Sequence, residues 1–446
     1  MNKIIISTLA LFSTSVFAQT LTIEKSKELA LQNSRSVKNS ILETSAARET
    51  KKEAYTKYFP SASASVFAMK AINPLLEVNM TGGNLPVYDG NPANLAAATQ
   101  FAYFPGANIS LFNQMGLGAV NILQPVYAGN KIKTANQLAS LNVDVKQHQQ
   151  KINENEVLIK TEQQYWQVIS ILEKQKTLQN YEKFLESMYK QINNAFKAGM
   201  IIKNDLLKVQ ISQSELKVSK NKLENGKKLA LMQFSQTIGI PYSADIHLNS
   251  DLLEPQPPVA FYVIPSDAVK RRSEYVLLEK SVQASELQQK LTKGDYLPQL
   301  GIGATGYYLD PFLKGQKGDF NGLLYASLSI PITDWWGAKH KMKEQEYRTQ
   351  ITENNRMENI ELLGLQIEKS WTDLNESYDK IILLKETLQQ AEENVRVNKN
   401  SYDNGLIQLS DLLEAQAIKV ETEDKLTEAK TQYKINVTNY LQVTGR

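Results

Sequence analysis

Cysteine is missing from all 446 residues. Its absence excludes disulfides, thiolate metal sites and a cysteine nucleophile, and with them an acylated N-terminal cysteine as a membrane anchor. Histidine is almost as scarce: His148, His247 and His340 are scattered, and no glycine-rich loop shaped for phosphate is present. The chain therefore reads as a non-enzyme with no cofactor and no metal site. Charge is nearly balanced, at +3, which gives no case for a nucleic-acid partner. Beyond the first residues, no stretch approaches the ~18 apolar residues of a membrane-spanning helix. Any entry into a membrane must be made with strands.

What is present begins with a leader. MNKIIISTLALFSTSVFA, residues 1–18, has Lys3 in a positive start, an apolar stretch from Ile4 to Phe12, and Val16-Phe17-Ala18 as a small-residue cleavage site. It reads as a signal peptide, so the mature chain is expected to be exported and not lipid-anchored.

The rest is said twice. NAFKAGMIIKNDLLKVQ (194–210) and NSYDNGLIQLSDLLEAQ (400–416) share seven of seventeen positions at an offset of 206. Gly239 and Gly445 keep that offset, as do Pro125 and Pro331. Pro60 and Pro298 differ by 238, so the first copy carries 32 extra residues within 71–107, a Gly-, Pro- and Asn-rich stretch read as a long loop at a hairpin tip. The organisation expected is a first repeat over 19–238 with a strand hairpin near 59–127, a Pro-rich linker over 239–266, and a second repeat over 267–446 with a hairpin near 297–333.

Each repeat follows one grammar: helix, proline, strand, loop, strand, proline, very long helix, glycine turn, helix. Leu178, Tyr181, Leu185, Met188 and Ile192 step by three and four, as do Ile367, Trp371, Leu374, Tyr378 and Ile381. Side-by-side packing of long helices answers to that spacing. Between the prolines the period is two. Ala62, Ala64, Val66 and Ala68 alternate with Ser61, Ser63 and Ser65, and Leu324, Ala326, Leu328 and Ile330 with Tyr325, Ser327 and Ser329. Such alternation suits a membrane barrel strand or a soluble sheet equally. Tyr58, Phe59, Tyr127, Tyr296, Trp335 and Trp336, all at the proline ends, favour the membrane, as an interfacial aromatic girdle. Four strands cannot close a barrel, for which ~8 is the smallest common number, so copies must combine.

Duplicated helix–strand–strand–helix halves, YxP and QP/IP marks beside the strands, and G-x(5)-D-L-L turns resemble the TolC-like outer membrane efflux proteins. The resemblance covers the whole mature chain, from LTIEKSKELALQNSRSVKNS onward. It implies a mainly α protomer with a membrane β-barrel part: a homotrimer whose twelve-stranded β-barrel in outer membrane lipid continues as a long α-helical barrel through the periplasm. It implies an exit duct of a tripartite efflux or type I secretion system, conducting passively from an inner-membrane transporter through a periplasmic adaptor. Drugs, metal ions and secreted proteins all fit as cargo.

Carried onto this sequence, the adaptor-contact hairpin tips are Gly199, Met200, Gly405 and Leu406. The periplasmic entrance falls to Asp205, Tyr402, Asp411 and Glu414, with Tyr402 bracing the closed state. No arginine lies between Gly405 and Asp411, so a latch there would use Lys203 or Lys208. Both aspartates also suit plain helix N-caps, and Asp411 with Glu414 has capping-box spacing. The alternative from another class is a structural periplasmic coiled-coil adaptor or scaffold. One helical hairpin would be its usual mark, where this chain has two.

Overall fold

The computed structural model describes residues 20–111, 114–249, 252, 254–312 and 317–446. The signal-peptide reading of 1–18 lies outside the described residues. In chain order the elements are α1 (Ile23–Asn33), α2 (Arg35–Thr56), β1 (Ser61–Lys70), β2 (Leu76–Met80), β3 (Gly83–Pro86), β4 (Phe101–Phe104), β5 (Ala107–Leu111), β6 (Gln114–Ala128), α3 (Lys131–Lys197), α4 (Lys203–Ile238), α5 (Pro265–Arg271), α6 (Ser273–Gly294), β7 (Gln299–Asp310), β8 (Asp319–Ser329), α7 (Trp335–Asp403) and α8 (Leu409–Val443). They fall into two compact units. One is helical and spans residues up to Arg48, Ser140–Ser285 and Arg348–Arg446; the other, Glu49–Ala139 and Glu286–Tyr347, holds the strands.

In the helical unit the three-and-four spacing becomes a buried seam. Leu185, Met188 and Ile192 of α3 are buried, as are Ile367, Leu374 and Ile381 of α7. Each such side chain contributes about 1.5–3 kcal/mol of burial. The helices run 67 and 69 residues, about 100 Å at 1.5 Å per residue. Gly364 lies inside α7 without interrupting it, since one glycine costs a helix only about 1 kcal/mol relative to alanine.

The end of each repeat is closed by a left-handed glycine. Gly239 (φ 72°) follows α4, and Ile240 N–H reaches back to Ser235 O; Gly445 (φ 74°) follows α8, and Arg446 N–H reaches back to Leu441 O. Both are also tight. A Cβ on Gly239 would lie 2.2 Å from Asn33 Cβ, and one on Gly445 would lie 3.0 Å from Arg271 Cβ. Two tyrosines tie the ends down: Tyr165 donates to Asn249 O at 2.8 Å, and Tyr433 donates to Gln256 O. Burial pushes both phenols up, to about 12.

In the strand unit, β1, β6, β7 and β8 form one antiparallel sheet in that order, so β1 and β8 are its edges. Register places Ala64 beside Val120, Ile122 beside Ala304 and Ala304 beside Leu324, one apolar face crossing all four strands. Ser63 pairs with Asn121, Asn121 with Thr305 and Tyr307 with Asn321 on the other, polar face, where Thr305 Oγ1 donates to Asn121 Oδ1 at 2.8 Å. Two readings change here. Pro125, taken as a strand boundary, lies inside β6, tolerated because the β6–β7 register shifts at Pro125/Tyr127. The insert 71–107, taken as a loop, holds β2, β3 and β4: β3 pairs with β4, and β2 pairs with β5, which starts at the insert's last residue.

Candidate functional site

The two repeated phrases form the two hairpin turns, α3–α4 and α7–α8, and both turns have the same hydrogen bonds. Gly199 N–H donates to Phe196 O and Met200 N–H to Ala195 O, each at 2.9 Å; Gly405 N–H donates to Tyr402 O and Leu406 N–H to Ser401 O, also at 2.9 Å. Both glycines have φ 73°. A Cβ would meet nothing within 4 Å at either, so glycine is needed for its backbone and not for space. Beyond them Met200 and Leu406 are 74% and 76% exposed.

Past the turn the copies diverge. α8 begins at Leu409 with Gln408 as its N-cap, and a reciprocal capping box joins Gln408 to Asp411, whose Oδ2 accepts from Gln408 N–H at 3.2 Å. α4 begins at Lys203 with Ile202 as N-cap, which has no side-chain acceptor to offer. The sequence reading of both aspartates as N-caps is therefore corrected: each lies three residues past the cap, because Ile201–Ile202 and Ile407–Gln408 leave the turn and the helix starts earlier. The box partner of Asp411 is Gln408, not Glu414, which is exposed on α8. Asp205 instead lies 3.7 Å from Lys208 of its own helix.

The tips share a core within the helical unit. Leu185, Met188, Ile192, Val209, Leu216, Leu409, Leu412 and Leu413 are buried together, with Leu206 and Tyr402 partly buried against them. Burial first, then the negative charges of Asp205 and Asp403, raise the Tyr402 phenol above its usual value. The structure thus brings Tyr402 into the field of the first repeat's aspartate, a pairing that spacing along the chain does not reveal.

A second feature escaped the sequence reading. Lys174, Tyr181, Leu216 and Asp424 line a groove of about 580 Å³ between α3, α4 and α8. Asp424 Oδ1 is buried without a hydrogen-bond partner among the described residues, and burial raises its carboxyl pKa. The signal was an acidic residue falling on the inner side of the α8 pattern.

The six aromatics all lie at the end of the four-stranded sheet where the chain joins the helices. Tyr58 and Phe59 precede β1, Tyr127 closes β6, Tyr296 precedes β7, and Trp335 and Trp336 open α7. Tyr55 touches both Tyr58 and Phe59, at 5.6 and 5.5 Å between ring centres, and Trp335 Nε1 donates to Tyr296 O at 2.9 Å. All but Tyr296 are exposed. No helix among the described residues is long and apolar enough to cross a membrane.

Residues 264–446 match a family described as outer membrane efflux protein. Solved structures of similar fold include the outer membrane channel CmeC of Campylobacter jejuni, with a TM-score of 0.73, 13% identity, and 95% of this chain and 85% of that one covered. The outer membrane protein VceC of Vibrio cholerae gives 0.73, 12%, 95% and 96%. The open-state outer membrane channel MtrE of Neisseria gonorrhoeae gives 0.72, 12%, 95% and 88%. Comparison with curated proteins gave no match. At these identities the structural likeness is one of fold. The chain thus resembles the TolC-like outer membrane efflux proteins in sequence over its second half, and has the fold of their solved channels over nearly its whole length.

Proposed function

We propose that the protein is the outer membrane exit duct of a tripartite efflux or type I secretion system. The observation that carries this reading is the sheet β1-β6-β7-β8, whose two edges have no strand partner among the described residues and whose apolar face is largely bare. Unpaired strand edges are not tolerated in lipid. Closure needs the β8 edge of one copy against the β1 edge of the next, and three copies supply twelve strands. The apolar face then meets outer membrane lipid, and the face of Ser63, Asn121, Thr305 and Tyr307 lines a neutral aqueous lumen. Tyr58, Phe59, Tyr127, Tyr296, Trp335 and Trp336 form the girdle at the helix end of the barrel.

The long helices of three copies continue the duct through the periplasm, with Asp205, Tyr402, Asp411 and Glu414 around its entrance. Exposed Met200 and Leu406 beside Gly199 and Gly405 are the contact points for a periplasmic adaptor, which joins the duct to an inner-membrane transporter. Conduction through the duct is passive, with the inner-membrane transporter supplying the driving force. The test is the mass of the purified protein in detergent by light scattering, with gel migration before and after boiling. A trimer that shifts on heating is expected; a stable monomer with no heat shift would return the chain to the scaffold reading.

A further inference from the structure

The 32 residues that the first repeat has and the second lacks fold into a ribbon. β2 pairs with β5 from Leu76 to Met80, and β3 with β4 from Gly83 to Pro86. The joint between the pairs is built on close backbone approach: a Cβ on Gly82 would lie 2.4 Å from Gly106 N. The far end is closed by Asp89, whose carboxylate accepts from Asn91 N–H and Asn94 Nδ2, both at 3.0 Å.

This ribbon has two different faces. Leu76, Val78 and Met80 share one face with Ile109 and Ala107, while Glu77, Asn79 and Asn108 share the other. Leu76, Val78, Met80 and Ile109 are all exposed, as are Leu85, Phe101, Tyr103 and Phe104 further out. A two-stranded ribbon is marginal in water unless its apolar face is covered. The connection between β7 and β8, residues 311–318, is far shorter than the one that carries this ribbon.

Charge and continuity decide what does. From Ala71 to Asn130 there is no lysine or arginine, and Glu77 and Asp89 are the only charges before the barrel resumes. An anionic headgroup layer draws in basic residues, at about 1 kcal/mol each, and this ribbon has none to offer. It leaves the sheet from Lys70, the last residue of the edge strand β1, at the seam where the next copy must pair. We propose that the ribbons of three copies pack their Leu76–Val78–Met80–Ile109 faces against one another, as a collar that joins the copies and narrows the outer mouth of the duct. The inference rests on the trimeric channel reading, and its chemistry is apolar self-recognition on one ribbon face.

The cysteine-free sequence makes the test clean. Val78→Cys, Ile109→Cys and Asn79→Cys would each be purified as the intact assembly, weighed by light scattering, then treated with an oxidant or a short bifunctional maleimide. Val78→Cys and Ile109→Cys should convert most assemblies to species with two copies covalently linked, and Asn79→Cys on the polar face should link at least tenfold less. A trimer that links at none of these positions overturns the collar and leaves the channel reading standing. So does quenching of a fluorophore at Val78→Cys by lipid-borne nitroxide, which would make lipid the cover. A monomeric mass for the unmodified protein would overturn the channel reading, and the collar with it. As a second readout, the triple variant Leu76→Ser, Val78→Ser, Met80→Ser should raise single-channel conductance while the mass stays trimeric; unchanged conductance would contradict narrowing of the mouth.

Discussion

The two hairpin tips differ most where their sequences agree. Leu207 and Leu413 occupy equivalent places in the repeated phrase, yet Leu207 is 43% exposed and Leu413 only 8%. Leu412 is fully buried, while its counterpart Leu206 is partly so. The second tip is thus the one turned into the shared core, and it alone has a reciprocal capping box. A duplicated sequence here has been put to two uses: one tip is packed and capped, the other leaves an apolar side chain and a lysine-paired aspartate near solvent. In a ring of such hairpins the two kinds would alternate.

The comparison can be broken first at the leucines. Leu413→Ala should cost about 2–5 kcal/mol of stability, and Leu207→Ala no more than about 1 kcal/mol, read from denaturant unfolding of the helical circular dichroism signal. Equal losses would mean that the tips are buried alike. The glycines should behave in the opposite way. Gly199→Ala and Gly405→Ala should each cost roughly 1–2 kcal/mol through the left-handed backbone, and the two values should agree, because neither turn lacks room. A large difference between them would show that one turn is held by something other than its own hydrogen bonds.

The aspartates should separate the tips again, by less. Asp411→Ala removes the capping box and should cost about 1 kcal/mol; Asp205→Ala removes a 3.7 Å ion pair and should cost about 0–1 kcal/mol. The smallest effect concerns Tyr402. Its raised phenol is protonated in the folded tip, so its contribution is complete below the unfolded value of about 10 and is lost as pH rises through the folded value. Asp205→Asn should bring that folded value down and narrow the alkaline window, while Asp411→Asn should leave it unmoved. Titration of a fluorotyrosine placed at 402 would measure both; an equal response to the two variants would contradict the pairing with Asp205.

Much of this was legible in sequence because it follows from local rules. The stretch from Lys131 to Lys197 is one helix because no proline or glycine interrupts it, and the serines of β1 share a face because a strand alternates. The turns at Gly199 and Gly405 follow from a backbone only glycine enters cheaply. What was not legible depends on partners distant in the chain. Pro125 reads as a boundary until the β6–β7 register shift accommodates it. The Gly, Pro and Asn of 71–107 read as a loop, since short ribbons have too few residues to show a period. Asp205 and Asp411 looked like caps, and only the observed helix starts at Lys203 and Leu409 place them a turn's length inside. Nothing in the identical Asp-Leu-Leu triplets distinguishes Leu207 from Leu413, because their burial is decided by which helix each tip leans on.

In the proposed duct, three copies form one conducting path whose entrance is lined by these tips. Single-channel recording of the purified protein in lipid bilayers, under a salt gradient, tests it most directly. On the proposed trimer, three copies of Asp411 and Glu414 would gather six carboxylates around the entrance, and their field should make the pore prefer cations and be blocked by multivalent ones from the periplasmic side. Asp411→Asn with Glu414→Gln should lower that preference and relieve the block, and Lys208→Gln should deepen it. No conductance from a trimeric protein, or equal selectivity and block in all three, would contradict the account.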